Sequence, residues 1–258
     1  MSPAKAFRDR LRARDLIVGT FVKTPHPSVV EALAPSGLDC ICLDAEHAPF
    51  DRGDLDVGIL AARATGQVAL VRPSSGAPDA ILNALDLGAA GVVVPHVRSA
   101  REAAEVAGAC RYGAGGRGYA GSTRAAGYGA RPMPEHLARS AEEVCVIAQI
   151  EDLEALDEID AIVAAPGLDA VFVGRIDLTV ALGAASPMDA AVIAAVRRIV
   201  EAGARAGVAV GMFTPALDEI ADWRALGASM FLLSSDHAFM QAGARSLAAA
   251  VRGAKASL

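Results

Sequence analysis

The sequence has little of several features that would place it in other classes of protein. Aromatic residues make up 4% of its 258 residues, so small aliphatic residues and glycine must fill the interior. No apolar run approaches the roughly 18 residues that a membrane-spanning helix needs. The first ten residues are rich in charge and lack the apolar centre of a signal peptide. We therefore expect a globular, cytoplasmic protein with no membrane partner.

Cysteine and charge exclude two further classes. The four cysteines, Cys40, Cys42, Cys110 and Cys145, show neither a C-x-x-C pair nor zinc-site spacing, so we expect buried, reduced thiols. The formal net charge of −6 argues against a nucleic-acid partner. A small anionic substrate stays open, because its binding site can be locally positive.

One pattern recurs along the chain: a short β-branched run, a polar or glycine exit, and then a helix. The predicted strands are Ile17–Val22, Cys40–Asp44, Val68–Arg72, Gly91–Val97, Cys145–Glu151, Ala170–Asp177, Ala209–Thr214 and Met230–Asp236. Strands alternating with helices in a chain of this length predict a parallel sheet, and a single (β/α)₈ TIM barrel over residues 1–258 is the economical architecture. An open doubly wound sheet is the alternative, disfavoured because no G-x-G-x-x-G follows the first strand.

The helices predicted between these strands follow from apolar spacings of three and four. They are Phe7–Arg14, Pro27–Pro35, Asp54–Thr65, Asp79–Leu87, Ala100–Cys110, Leu153–Ala164, Asp189–Ala206, Leu217–Leu226 and Ala238–Val251. The glycine-rich segment 111–134 interrupts the pattern, and loops longer than about 12–15 residues are usually functional or disordered. Two interpretations are open: a lid that turns Arg117 and Arg124 toward an anionic ligand, or a surface excursion.

Polar side chains stand where the predicted strands end. The stretch Cys40–Pro49 begins as a buried strand and finishes on Asp44, Glu46 and His47. The other strand ends supply Arg72, Gln149, Glu151, Asp177 and Asp236. Because the C-terminal ends of parallel strands open on one face of a barrel, where catalysis takes place, we expect these groups to lie together. For each residue alone, a polar strand-to-loop junction with an incidental ion pair is the alternative.

Two of these acids, Glu151 and Asp177, end neighbouring predicted strands. Carboxylates placed in this way form an oxygen-rich site that suits Mg²⁺ or Mn²⁺. Zinc is not supported, because the five histidines are scattered along the sequence. The sequence therefore predicts a site for a hard or borderline divalent cation.

Arg72 and His47 suggest the chemistry that would accompany this cation. Arg72 either pairs with Asp44 or Glu46, or holds an oxyanion beside the cation. His47 is the candidate proton carrier, because histidine exchanges protons near neutral pH. We expect no lysine at a strand exit that could form a Schiff base, which favours a metal route. Together these groups predict enolate chemistry next to a carbonyl.

Six stretches, in this order and spacing, resemble the class II, metal-dependent pyruvate aldolases of the HpcH/HpaI family. They are Leu43–Pro49, Val71–Pro73, Leu85–Ala89, Arg111–Tyr112 with Gly116–Gly118, Gln149–Glu151 and Val173–Leu178. The likeness covers nearly the whole chain. It implies a TIM barrel whose last helix is exchanged between subunits of a homo-oligomer, either a hexamer built as a trimer of dimers or a trimer.

The resemblance also implies a metal and catalytic role for five side chains. Glu151 and Asp177 would bind the divalent cation, which would be Mg²⁺ or Mn²⁺, with Co²⁺ as a further option. Arg72 would steady the keto oxygen as it becomes an enolate. His47, oriented by Asp44, would be the acid–base group.

Substrate contacts are implied in the same way. Gln149 would hydrogen-bond the pyruvate portion, and the backbone from Gly174 through Ile176 to Asp177 would receive its carboxylate. Arg175 stands where the family usually has proline, in Gly-Pro-x-Asp-Leu. It would recognise an extra carboxylate on the acceptor, alter the carboxylate pocket, or point outward.

The implied reaction cleaves a 4-hydroxy-2-oxo acid to pyruvate and an aldehyde, or runs in reverse. In an oligomer, Asp86 would reach a neighbouring subunit's site. Other reactions of the same metal–enolate core stay open, namely oxaloacetate decarboxylation and lyase chemistry on an acyl-CoA. A third alternative is a barrel that binds a ketoacid without turnover.

Overall fold

Eight parallel strands close into a barrel in the computed structural model, which describes residues 1–254. The strands are β1 (Ile17–Val22), β2 (Cys40–Asp44), β3 (Val68–Arg72), β4 (Gly91–Val94), β5 (Cys145–Ile150), β6 (Ala170–Val173), β7 (Ala209–Thr214) and β8 (Met230–Ser235). Each strand pairs with the next one along the chain, and β8 pairs with β1. The predicted TIM barrel is confirmed and the open sheet is excluded. The single domain over 1–258 stays a prediction, because residues 255–258 lie outside the described part.

Helices connect the strands on the outside of the barrel. They are α1 (Pro3–Arg12), α2 (Pro27–Leu33), α3 (Arg52–Thr65), α4 (Pro78–Asp86), α5 (Ala100–Ala109), α6 (Met133–Glu143), α7 (Leu153–Asp157), α8 (Ile159–Val163), α9 (Arg175–Ala181), α10 (Ala190–Ala206), α11 (Ile220–Leu226) and α12 (Asp236–Ala254). The predicted helix Leu153–Ala164 is two helices, α7 and α8. Helices α6 and α9 were not predicted.

Two strands end three or more residues earlier than the sequence suggested, and this moves one candidate ligand; β5 and β8 end one residue earlier. β4 stops at Val94, before Pro95, which has no N–H to continue the ladder. β6 stops at Val173, and Gly174 turns the chain into α9. The prediction that Asp177 ends a strand is therefore wrong, because Asp177 lies in the first turn of a helix.

The side chains of the strands alternate between two cores. In β2, Ile41 and Leu43 belong to the core between sheet and helices, whereas Cys40 and Cys42 belong to the core inside the barrel. Because side chains two residues apart share a face, the next inward position of β2 is Asp44. The inward sets of β3 and β5 likewise lead to Arg72 and Gln149. The inside of the barrel is thus apolar until its last layer, which is polar.

Helix α1 closes the opposite end of the barrel. Its Phe7 and Leu11 belong to the interior core, and its Arg8 pairs with the buried Asp169 at 3.0 Å. The Ser2 side chain caps the first turn of the helix. Access to the polar layer is therefore from the C-terminal ends of the strands, which we call the mouth.

Helix α12 contacts the barrel at its beginning and is exposed over the rest of its described length. The buried carboxylate of Asp236, its first residue, accepts the backbone N–H groups of Lys23 and Thr24. Every residue from 239 to 253 is exposed, and Leu247 and Val251 show 72% and 62% of their surface. Within residues 1–254 no helix combines the length and apolar character needed to cross a membrane.

Candidate active site at the barrel mouth

One side of the mouth is built on a buried ion pair. Asp44 and Arg72 are register partners on β2 and β3. Arg72 donates from Nε to Asp44 Oδ1 at 2.9 Å and from Nη2 to Oδ2 at 2.8 Å, and its guanidinium lies 4.5 Å from the centre of the Phe21 ring. Burial alone would raise the pKa of Asp44, but the hydrogen bonds and charge of Arg72 outweigh it and hold that pKa below its usual value.

Asp44 also shapes the turn that follows β2. Its Oδ1 accepts the backbone N–H groups of Glu46 at 3.3 Å and His47 at 3.2 Å. The His47 ring is half exposed, and its Nε2 lies 3.7 Å from Glu46 Oε2. Asp44 therefore contacts the backbone of His47, while Glu46 is the carboxylate next to the ring. Orientation of His47 by Asp44 stays a prediction.

Lys23 is a mouth residue that the sequence analysis did not recognise. It follows β1 directly, and its Nζ lies 3.5 Å from Asp44 Oδ2. Lys23 therefore stands at a strand exit, where we expected no lysine that could form a Schiff base. The Nζ of Lys23 is engaged by a buried carboxylate of the protein itself.

The other side of the mouth is built around Glu151. Its Oε1 accepts the backbone N–H of His96 at 2.9 Å, and its Oε2 accepts a hydrogen bond from the Gln149 amide. Gly174 lies directly behind it, where an added Cβ would come within 2.5 Å of Glu151 Oε2. Burial raises the pKa of Glu151 above its usual value, although both hydrogen bonds and the charge of His96 oppose the shift.

Glu46 faces the same space from the β2 side. Its side chain is 8% exposed, and its Oε2 lies 3.2 Å from Arg72 Nε. Burial raises the pKa of Glu46; Arg72 and His96 oppose this shift, whereas Asp44 and Asp177 add to it. The net increase shows that the effect of burial outweighs that of the positive charge nearby.

Among the buried polar atoms at the mouth that have no hydrogen-bond partner within residues 1–254, two belong to polar side chains already described. They are Glu46 Oε2 and Gln149 Oε1. Buried polar atoms are usually paired, so these two need an explanation. A divalent cation with its water and substrate ligands would supply it, because the surrounding donors are mostly carboxylate oxygens. The residues present therefore fit such an ion.

The donor atoms that lie close together as a group of three include one member of the predicted pair, Glu151. Among the described residues, the group of three or more possible ligands whose atoms lie within 4.8 Å of one another is Glu46, His96 and Glu151. Asp177 is outside this group, although it is near enough to influence the pKa of Glu46. Metal binding by Glu151 together with Asp177 stays a prediction. His96 was missed because it was placed inside a strand.

Arg175 is engaged by the protein itself. Its Nε donates to the Pro187 carbonyl at 2.9 Å, its Nη1 pairs with Glu219 at 2.6 Å, and its guanidinium lies 5.8 Å from the Trp223 ring centre. These contacts join α9 to the segment before α10 and to the start of α11. Substrate binding by Arg175 stays a prediction, and it would require Glu219 to release the guanidinium. Ile176, the next residue, is 48% exposed.

Asp86 and the glycine-rich segment lie on the outside of the barrel. Asp86 ends α4, and its Oδ1 is 3.5 Å from Arg117 Nη2. Arg124 pairs with Asp56 of α3 at 2.7 Å. Both arginines are thus engaged by outer helices, so the contacts within one chain do not support the lid interpretation. A contribution of Asp86 to a neighbouring subunit's site stays a prediction.

Comparisons with known proteins agree with this architecture. The sequence model of the family described as HpcH/HpaI aldolase/citrate lyase matches residues 18–242. A hydroxypyruvate/pyruvate aldolase of Paraburkholderia phytofirmans is 33% identical and aligns over 95% of this chain and 96% of its own. A 4-hydroxy-2-oxovalerate aldolase of Novosphingobium aromaticivorans is 35% identical over 80% of each chain.

A solved structure is similar over the same extent. It is a crystal structure of an HpcH/HpaI aldolase/citrate lyase family protein from Burkholderia cenocepacia, with a TM-score of 0.92 and 32% identity. The match covers 96% of this chain and 99% of that one. Both sequence and fold therefore agree over almost the whole described chain.

Proposed function

The chain belongs to the HpcH/HpaI aldolase/citrate lyase family and is an aldolase, and we propose that it forms and cleaves 4-hydroxy-2-oxo acids through the enolate of pyruvate. The second substrate in the synthetic direction is an aldehyde. The observation that carries the proposal is the mouth itself, where a buried arginine stands beside carboxylates whose pKa values are raised by burial.

The cofactor in this proposal is a divalent cation, Mg²⁺ or Mn²⁺, with Co²⁺ as a further option. Glu151 and Asp177 would hold it, as the sequence suggested, and the excess of carboxylate at the mouth supports a cation there. When bound, such an ion supplies a Lewis acid that draws electron density toward the keto oxygen of the substrate.

Arg72 stabilises the negative charge that develops on the keto oxygen when the carbon–carbon bond breaks. Its Nε and Nη2 are held by Asp44, and its Nη1 makes no hydrogen bond within residues 1–254. A donor fixed in this way costs little reorganisation when the keto oxygen becomes negative. Gln149 binds the pyruvate portion, and the first-turn N–H groups of α9, from Arg175 to Asp177, receive its carboxylate, since such groups have no partner inside their helix.

His47 handles the proton. In cleavage His47 accepts the proton of the C4 hydroxyl. The C3–C4 bond then breaks, its electron pair forms the C2–C3 double bond of the enolate, and the negative charge comes to lie on the former keto oxygen. The aldehyde leaves, and a proton delivered to C3 of the enolate completes pyruvate. The half-exposed ring suits this role, because it can exchange its proton with solvent between turnovers.

We also propose that the protein is a homo-oligomer, a hexamer or a trimer, in which α12 docks on a neighbouring subunit. The exposed apolar side chains of α12 support this, since a lone helix with Leu247 and Val251 in water gains little from folding. Light scattering coupled to size-exclusion chromatography tests it, and a monomer at micromolar concentration would contradict it.

The cytoplasm is the proposed location. All four cysteines are free and buried in the described chain, as expected for a protein of a reducing compartment. Fractionation of the native host would test the location directly.

The decisive experiment measures turnover with a panel of 4-hydroxy-2-oxo acids, with oxaloacetate and with acyl-CoA esters. We expect pyruvate and an aldehyde as products, loss of activity with a chelator, and recovery with Mg²⁺ or Mn²⁺. Glu151→Ala should lose metal binding and activity together, by about 10³-fold or more. An active Glu151→Ala enzyme that resists the chelator would refute the assignment, and exclusive decarboxylation of oxaloacetate would change the reaction.

A further inference from the structure

A cavity lies at the end of the barrel opposite the mouth. Its volume is about 280 Å³, below the roughly 300–1,000 Å³ typical of sites for drug-sized ligands, so its occupant would be small. Three of its lining residues, Gln67, Ala90 and Val144, stand directly before β3, β4 and β5. Helices α3, α4 and α6 and the glycine-rich segment 111–134 form other parts of the wall. We call this space the basal cavity.

Arg117 brings a buried positive charge to the basal cavity. Its side chain is 1% exposed. Its polar side-chain contacts within residues 1–254, with the Tyr112 hydroxyl and with Asp86 Oδ1 at 3.5 Å, are both made through Nη2. Its Nε and Nη1 are buried and have no hydrogen-bond partner in that part of the chain. Buried donors are usually paired, so these two indicate an acceptor that the described chain does not supply.

His136, in α6, adds a third unpaired donor. It is 3% exposed, its Nε2 lies 3.0 Å from the Tyr112 oxygen, and its buried Nδ1 has no hydrogen-bond partner among the described residues. Because the Tyr112 oxygen accepts a hydrogen bond from Arg117, its own proton is available to Nε2, and the proton of the neutral imidazole then lies on Nδ1. All three unpaired atoms are therefore donors, as the binding of an anion requires.

The charged side chains that line the basal cavity are mostly positive. They are Arg63, Arg117, Arg131, Arg139 and Glu143. Burial lowers the pKa of His136, and the charges of the arginines at 117, 131 and 139 lower it further, although Glu143 opposes the shift. Glu143 is itself paired with Arg139 at 2.7 Å. The lining residues therefore leave an excess of positive charge that a bound anion would balance.

Much of the remaining wall is apolar. It includes Ile59, Ala62, Val68, Leu85, Ala89 and Val144. Guanidinium N–H groups match the oxygens of a carboxylate, and an apolar wall favours a hydrocarbon chain over bulk water.

We propose that the basal cavity binds a small organic carboxylate, whose oxygens accept hydrogen bonds from Arg117 and His136 and whose short hydrocarbon chain packs against the apolar wall. This site lies at the opposite end of the barrel from the mouth, and the proposal does not depend on the aldolase function.

The test is isothermal titration calorimetry with butyrate, acetate and inorganic phosphate as probes, at constant ionic strength and with Mg²⁺ present. We expect butyrate to bind about tenfold or more tightly than acetate, because it buries two further methylene groups. Arg117→Met should weaken butyrate binding by about tenfold or more, since it removes charged donors. Arg131→Gln, at a partly exposed arginine, should weaken it by about threefold.

Two control variants distinguish this site from other positive charges. Arg205→Gln removes an exposed arginine of α10 that is paired with Asp160 at 2.7 Å and does not line the cavity, so it should leave butyrate affinity unchanged. Arg72→Lys alters the mouth and should also leave it unchanged. If Arg117→Met does not fold, as thermal unfolding would show, Arg131→Gln still carries the test.

Four results would overturn the proposal: no binding of butyrate, affinity unchanged in the variants at positions 117 and 131, affinity lost only in Arg72→Lys, or binding of phosphate without binding of butyrate. Turnover of 4-hydroxy-2-oxo acids is measured separately. Each of these results would leave the proposed aldolase function standing, and loss of that function would leave the basal cavity to be judged by calorimetry alone.

Discussion

The two sides of the mouth differ in how their charges are balanced. On the Asp44 side, a guanidinium, an ammonium and two backbone N–H groups satisfy one buried carboxylate, and its pKa is lowered. On the Glu151 side, buried carboxylates face one another, and the pKa values of Glu46 and Glu151 are raised. The first arrangement, which we call the balanced side, is complete without a ligand and fixes Arg72. The second, which we call the unbalanced side, is completed by a cation in the proposed function.

Arg72→Lys should break the balanced side and have the largest effect of the substitutions that test this difference. A lysine ammonium cannot reproduce the two parallel hydrogen bonds to Asp44 while still reaching a substrate oxygen. We expect kcat/KM to fall about 10²–10³-fold, as on removal of one oxyanion donor, with Mn²⁺ affinity little changed. Steady-state kinetics and Mn²⁺ titration measure the two effects. A variant that keeps wild-type kcat/KM would show that the guanidinium fork has no part in turnover.

Gly174→Ala should disturb the unbalanced side by displacing the Glu151 carboxylate. The new Cβ would come within 2.5 Å of Glu151 Oε2 and 2.6 Å of Glu151 Cβ, so the carboxylate must move. We expect Mn²⁺ affinity and kcat to fall together, by about 10- to 100-fold. Gly108→Ala, in α5, is a matched control, because it has open space around the added Cβ. Unchanged Mn²⁺ affinity in Gly174→Ala would mean that Glu151 does not hold the cation.

Glu46→Gln should sharpen the comparison through the pH dependence of stability. Because the pKa of Glu46 is raised in the folded state, its favourable contribution exists at low pH and is lost as the pH rises through that pKa. In metal-free protein at pH 7 the amide should therefore raise Tm, by about 2–4 °C for each kcal/mol gained. The gain should vanish near pH 4, where the carboxyl is protonated.

Asp44→Asn provides the opposite control for this experiment. The pKa of Asp44 is lowered, so its stabilisation exists above the usual pKa of a carboxyl and is lost as the pH falls through the lowered value. The substitution should lower Tm at pH 7. Thermal unfolding followed by circular dichroism measures both variants, and shifts of the same sign would contradict the difference between the two sides.

Arg175→Lys should have the smallest effect. The guanidinium is bound to Glu219 and Pro187, and a lysine keeps the charge opposite Glu219. We expect the KM for the 4-hydroxy-2-oxo acid to change by no more than about twofold, or ~0.5 kcal/mol. A much larger increase, confined to substrates whose aldehyde portion carries a carboxylate, would show instead that Arg175 binds substrate.

Much of the balanced side could be predicted from the sequence. The alternation in β2 and β3 brings Asp44 and Arg72 to the last inward layer, and their pairing was one of two stated options. The barrel followed from the same regularity, because strand and helix periods repeat along the chain. Both predictions, the ion pair and the barrel, follow from local rules that short stretches of sequence are enough to apply.

The unbalanced side could not be predicted as well, since it depends on where strands stop. His96 was assigned to β4 and Asp177 to β6, but Pro95 and Gly174 end those strands earlier. Pro95 was the available signal for the first error. The pairing of Arg117 with Asp86 joins residues far apart in the sequence, and no local pattern indicates such a contact.

Closure of one end of the barrel by Phe7 and Leu11 has a kinetic consequence. Reactants and products enter and leave through the mouth. Gln149, 1% exposed, lies at the bottom of the site, and the half-exposed His47 ring lies at its edge. A molecule bound beside Gln149 cannot leave while another molecule occupies the space beside His47. In cleavage the aldehyde should therefore exit before pyruvate, and in synthesis pyruvate should enter first. The aldehyde should therefore be the second substrate to bind in synthesis and the first product to leave in cleavage.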